Sequence, residues 1–156
     1  MEVLLFNRQR AVTLPLRRLE ALASAVPAAC RPYPGGAPSL LVELPAVEVS
    51  VVSDRTIAQV HREFLAIPGA TDVITFPHGE IVVSATTAAR RAVEYNESVD
   101  RELARYIVHG FLHLHGHLDA ESNDAAAMWK AQEEVLEQLW PAGSCKKPAP
   151  QALTPG

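Results

Sequence analysis

The sequence predicts an α+β fold: a small mixed sheet of about four strands packed by helices, with a central helix that bears a metal site. Three observations predict it. Ala46 to Val52 alternates apolar and polar side chains in the manner of a half-buried strand. Thr71 to Pro77 and Gly79 to Ser84 are two short β-rich runs meeting at Pro77-His78-Gly79, the composition of a tight turn. Leu103, Tyr106, Ile107, Gly110, Phe111 and Leu114 recur at helical spacing over so wide an arc that their helix has to be buried.

The other elements fall between these. Val3 to Phe6 is short and apolar and reads as a strand. Pro15 opens a helix carrying Leu16, Leu19, Leu22, Ala23 and Val26, and Pro27 is expected to stop it. Prolines and Gly35-Gly36 make residues 27–45 a loop or irregular hairpin, with Ser39 to Leu44 a possible extra strand. Ser53 or Asp54 caps a helix to about Phe64, with Ile57, Val60, His61 and Phe64 on one face. Thr86 to Tyr95 is a further helix, Ser98 caps the central one, and Asp100 suits its dipole. Ser122 or Asn123 caps a last helix whose Met128, Ala131, Val135, Leu136 and Leu139 face inward. Residues 1–140 thus form one domain, and the aperiodic residues 141–156 are expected to be a mobile tail.

Composition narrows the function. The chain has 156 residues, 48% of them hydrophobic and 21% charged, as in a soluble globular domain. No apolar run approaches the roughly 18 residues of a membrane span, and Glu2 stands where a secretory signal carries bases, so a cytoplasmic protein is expected. Cys30 and Cys145 lie far from the histidines and imply neither a metal site nor a disulfide framework. A net charge of −4 argues against indiscriminate nucleic-acid binding. Any such contact has to be local, with Arg62, Arg90, Arg91, Arg101 and Arg105 weighed against an ordinary solvated helix face.

The chemistry concentrates in residues 109–119, which hold four of the six histidines. His109 and His113, at i and i+4, lie about 40° apart around a helix and about 6 Å along it, so both imidazoles can aim at one ion. His115 is about 200° from His113 and faces away. His117 lies about 12 Å along an unbroken helix from His109, too far for ligand bonds of about 2.1 Å. Gly116 can end the helix in the left-handed conformation and let Asp119 swing back. His109, His113 and Asp119, with His117 as the alternative third ligand, have the ligand count of a catalytic zinc centre with an open fourth position, one Zn2+ per chain. Gly110 stands where a zinc peptidase of the His-Glu-x-x-His type carries its glutamate, which disfavours peptide hydrolysis. Glu80 is a possible substitute base, and His78 a less favoured ligand at the hairpin turn.

His109-Gly110-Phe111-Leu112-His113-Leu114-His115-Gly116 resembles the signature of the YbeY family, bacterial metal-dependent endoribonucleases implicated in ribosomal RNA maturation. The family writes it His-Gly-x-Leu-His-Leu-x-Gly, followed by an aromatic residue, an aspartate and a third histidine ligand. Here those three positions are His117, Leu118 and Asp119, so the resemblance implies a divergent third ligand at Asp119. Thr71 to Pro77 and Gly79 to Ser84 are similar to the family's Pro-Thr-Asp-Val-Leu-Ser-Phe-Pro and Gly-Asp-Ile-Val-Ile-Ser segments, with almost no insertion between them. The family usually carries an arginine six residues before the strand's threonine; counting back from Thr71 gives Leu65, with Arg62 one helical turn away as the candidate replacement. The resemblance implies a zinc-dependent, single-strand-specific endoribonuclease of ribosomal RNA, with ribosomal small-subunit proteins as further partners and neither DNA nor membrane. A metal-holding ribosome-assembly factor that does not cleave, and a metal-dependent hydrolase of another substrate, are the alternatives.

Overall fold

Alternation along Ala46–Val52 has the consequence a period of two requires. Val47, Val49 and Val51 are fully buried on one face, while Val52 packs on the other with Ile57, Ile74 and Val82. The structure, a computed structural model, describes residues 1–144. Its elements are β1 (Glu2–Asn7), α1 (Leu16–Cys30), β2 (Ala46–Val52), α2 (Asp54–Leu65), β3 (Val73–Phe76), β4 (Glu80–Ser84), α3 (Ala85–Glu94), α4 (Val99–Leu114), α5 (Ser122–Leu139) and a single 3-10 turn, Ala142–Ser144. One sheet has the order β1-β2-β4-β3, with β1 and β4 parallel to β2 and β3 antiparallel to β4. The mixed four-stranded α+β fold expected from the sequence is therefore the one present.

α2 covers the smaller apolar face, and the larger one lies under α1 and α4. α4 is the central helix, packed against α1, α3, α5, β3 and β4. Ser98 caps it by accepting from the Arg101 amide at 3.1 Å, and Asp100 and Glu102 lie in its first turn. At Gly110 the close neighbour is the Ile81 side chain: a Cβ there would come within 2.6 Å of Ile81 Cγ2. The missing methyl group sets how closely the histidine-bearing part of α4 sits on β4.

Three expectations change. Pro27 does not stop α1, which runs to Cys30 with the proline inside it. A proline in the last turn removes one backbone donor, and burial of Val26, Ala29 and Cys30 in the core offsets that loss. Ser39 to Leu44 is no strand: the Glu43 and Leu44 amides both bond the Leu40 carbonyl, closing a helical turn. The last helix begins at Ser122 after Glu121, which makes no side-chain cap. Of the expected tail, residues 142–144 form the 3-10 turn, and residues 145–156, with Cys145, lie outside the described residues. Cys30 is a buried free thiol whose pKa burial pushes up to about 12, which makes it inert.

The segment that the sequence left open, residues 31–45, crosses the C-terminal end of α4. The Ala37 amide bonds the Gly116 carbonyl at 3.0 Å and the Leu40 amide bonds the Leu114 carbonyl at 2.8 Å. A Cβ on Gly35 would collide with the backbone of Gly116 and His117, whereas Gly36 has open space around its Cα. These adjacent glycines should therefore respond oppositely to alanine. Gly35→Ala should lower stability by about 2 kcal/mol or more, since the collision is with backbone that cannot rotate away. Gly36→Ala should stay within about 1 kcal/mol of wild type, on the stabilising side if its φ suits alanine. Urea-unfolding midpoints of the two variants check this, and equal midpoints would refute the seam.

Candidate metal centre

α4 ends in a turn whose hydrogen bonds define the site. The His117 amide bonds the Leu112 carbonyl at 3.0 Å, the Gly116 amide bonds the His113 carbonyl at 3.1 Å, and Gly116 has φ +96°. That is a Schellman termination, the reason the helix can stop just after His113. His109 and His113 stay on one face, ring centroids 4.7 Å apart. Nε2 of each lies 3.1 Å from Nε2 of the other.

What the outer nitrogens do decides the meaning of that contact. Gln132 Nε2 donates to Glu133 at 3.0 Å, which turns Gln132 Oε1 toward His109 Nδ1, 2.7 Å away. His113 Nδ1 lies 3.1 Å from the His117 carbonyl oxygen. Both partners are acceptors, so both Nδ1 atoms carry the protons and both Nε2 atoms present lone pairs. Two lone pairs at that distance repel unless a cation or proton lies between them. Nitrogens bound tetrahedrally to one zinc ion stand about 3.4 Å apart, close to what is found. Burial, then the neighbouring His113, hold the His109 pKa below its ordinary range, favouring the neutral imidazole a metal needs.

Beyond the glycine turn the two candidate third ligands part. Asp119 Oδ2 lies 3.5 Å from His113 Nε2, and ligand atoms of His109, His113 and Asp119 all lie within 4.8 Å of one another. His117 is buried, and its Nε2 lies 2.7 Å from the Tyr33 carbonyl oxygen, which ties it to the 31–45 segment. His115 faces the same segment, its Nδ1 2.8 Å from Ser39 Oγ. His78 stacks on Phe76 and meets Glu80 at 3.3 Å in the β3–β4 turn, so neither joins the trio. His61 Nδ1 lies 3.0 Å from the Gly69 carbonyl oxygen.

The histidine pair opens on two sides. His113 lines a groove of about 290 Å³ with Leu40, His61, Leu65, Val73, Thr75 and Pro77 among its walls. Leu65 thus stands beside the site, while Arg62 is exposed and is not part of that lining. His109 lines a cleft of about 420 Å³ between α3, α4 and α5, with Asp72, Arg91, Glu97, Glu102 and Arg105 among its walls. The arginines weighed as nucleic-acid contacts are engaged here. Arg91 pairs with Asp72 at 2.7 Å, Arg90 with Asp54, Arg101 with Glu97 and Glu137, and Arg105 with Glu97, Glu102 and Glu133. Burial would raise the Glu97 carboxyl, but hydrogen bonds from Arg105 and Arg101 outweigh it and hold it below the usual range.

Sequence reasoning missed Gln132, whose role depends on α5 lying against α4, and Tyr33 and Ser39, which reach the site through the loop. One signal for Gln132 was available: it is a polar residue one position after the inward-facing Ala131 on the apolar face of α5.

Comparison with known proteins agrees with this geometry. Residues 5–140 match the profile of the family described as Endoribonuclease YbeY. A protein of Myxococcus xanthus named Endoribonuclease YbeY is 37% identical over 110 residues, covering 61% of this chain and 37% of that protein. One of the same name from Cutibacterium acnes is 32% identical over 111 residues, covering 59% and 72%. The match thus spans little more than a third of the first relative's length and nearly three quarters of the second's. The solution structure of a Thermotoga maritima protein superposes with a TM-score of 0.58 at 26% identity, covering 88% of this chain and 89% of that one. With the profile match running from residue 5 to residue 140 and the two histidines of the family signature converging at the end of α4, the chain belongs to the YbeY endoribonuclease family.

Proposed function

We propose that this protein is a zinc-dependent, single-strand-specific endoribonuclease of ribosomal RNA maturation, acting in the cytoplasm among ribosomal small-subunit proteins. The observation that carries the reading is the facing pair of Nε2 lone pairs, each fixed by an acceptor behind it. His109, His113 and Asp119 would hold one zinc ion per chain, and the relatives' shared name supplies the reaction class. A zinc ion held there supplies positive charge toward a phosphoryl oxygen and makes water a better nucleophile near neutral pH. The chain's own residues do the positioning. Gln132 and the His117 carbonyl set the two imidazole planes, and the Gly116 turn brings Asp119 back to them. No helix among the described residues is long and apolar enough to cross a membrane.

One observation favours the reading of a metal-holding assembly factor that does not cleave. The groove beside His113 is lined by no arginine or lysine, and Leu65 stands in it where the family's signature leads one to expect a phosphate clamp. Arg62, exposed one turn away, is the cation on α2 nearest in sequence to that position. The cleaving enzyme nonetheless accounts for more, because the relatives' shared name is that of an endoribonuclease and the histidine pair opens on two cavities that a substrate could enter.

Two measurements test this. The purified chain should carry about one zinc; His109→Ala and His113→Ala should abolish it, and Gln132→Ala should weaken it by about 10- to 100-fold through loss of the outer hydrogen bond. Full zinc content in His113→Ala, read by metal analysis, would remove the site. Cleavage of a single-stranded ribosomal RNA fragment should require zinc and vanish in His113→Ala. Leu65→Arg should raise that rate by about tenfold to a hundredfold, the worth of one charge-assisted phosphate contact made in the transition state. Zinc binding without cleavage by wild type or Leu65→Arg would leave the assembly factor as the function.

A further inference from the structure

The 420 Å³ cleft on the His109 side differs in chemistry from the groove on the His113 side. Its walls carry Asp72, Glu97 and Glu102 against Arg91 and Arg105, and both arginines are already paired with carboxylates. A phosphate entering it would meet more negative than positive charge and no free cation among the lining residues. It is a poor place for RNA backbone.

The rim is of another kind. Tyr95, at the end of α3, is 65% exposed, and Trp129, on α5, is 58% exposed. Both line the cleft together with His109 of α4. Neither ring is covered by another ring among the described residues. The size of the cleft lies within the range of small-molecule sites. Deeper in, the Tyr106 hydroxyl is buried beside Arg91 and Glu102 without a hydrogen bond of ordinary geometry to either. An uncharged aromatic ring with polar edges meets all of these features: faces to stack on, no net demand for anion binding, and a polar group waiting inside.

We propose that this cleft is a nucleobase subsite, in which one unpaired base of the substrate stacks on Trp129 and Tyr95 beside His109. The proposal rests on the endoribonuclease reading and adds how a chain of net negative charge holds RNA: by base stacking on one side of the histidine pair, with the backbone left to the other. It also gives a physical reason for single-strand preference, because a base held in a duplex cannot offer its faces to protein rings.

The test uses the full zinc-loaded chain and a short 2′-O-methyl oligoribonucleotide, which resists cleavage, beside an abasic oligomer of the same length and charge. Trp140 is fully buried with Arg18 stacked on its ring, so a fluorescence change on binding reports Trp129. The base-bearing oligomer should quench saturably, and the abasic one should not. By anisotropy of a labelled oligomer, Trp129→Ala and Tyr95→Ala should each bind roughly 5- to 150-fold more weakly, and Trp129→Phe should keep most of the affinity. Zinc content should be unchanged in all three, since neither ring is one of the three candidate ligands and neither stacks on a histidine ring among the described residues. Equal quenching by the abasic oligomer, or full affinity in Trp129→Ala, would overturn the subsite even if wild type cleaves RNA. Base-dependent binding by a wild type that cleaves nothing would uphold the subsite and refute the nuclease reading alone.

Discussion

Everything at the candidate metal centre depends on how one helix ends. The carbonyls of the last turn of α4 need partners, and they find them in the Gly116 turn and in the Leu40 amide, while the Ala37 amide holds the carbonyl of Gly116 itself. That contact fixes the path of residues 115–119. It turns His115 and His117 toward the 31–45 segment and leaves Asp119 on the side of His109 and His113. The His117 carbonyl then serves the site from behind, orienting His113. A residue that looks like a spare ligand in the sequence is in the structure a brace.

The ion pairs of α4 explain how so charged a helix can be central. Arg101 and Arg105 are largely buried, which is costly for a guanidinium alone. Four carboxylates surround them: Glu97 before the helix, Glu102 on it, and Glu133 and Glu137 on α5. The network joins α4 to α5 and so holds Gln132 against His109. It also engages these arginines with carboxylates, although in the sequence they stand among the candidates for a local nucleic-acid contact.

Local signals carried most of the fold. The alternation of residues 46–52, the serine caps at 53 and 98 and the glycine after His115 each act within a few residues, and each stands where the structure has it. Pro27 misled because a proline near a helix end removes a single donor while the core continues to bury the residues around it. Residues 31–45 were illegible for a different reason. Their conformation is set by hydrogen bonds to residues 114–117, far away in sequence, and no short-range pattern encodes that contact. The histidine spacing was legible, whereas the partners of its outer nitrogens were not, because α5 supplies one and the turn's own backbone the other.

The seam between the loop and α4 also orders events in time. Its bonds join residues 76 and 84 positions apart, Ser39 to His115 and Tyr33 to His117. On the ribosome the loop emerges long before its partner does, and must wait, solvated, until the end of α4 has been made. Closing so long an interval costs chain entropy that only the later contacts repay. The three residues that converge at the end of α4 are therefore assembled by one of the last long-range closures of the nascent chain, after the parallel pairing of β1 with β2 is already available.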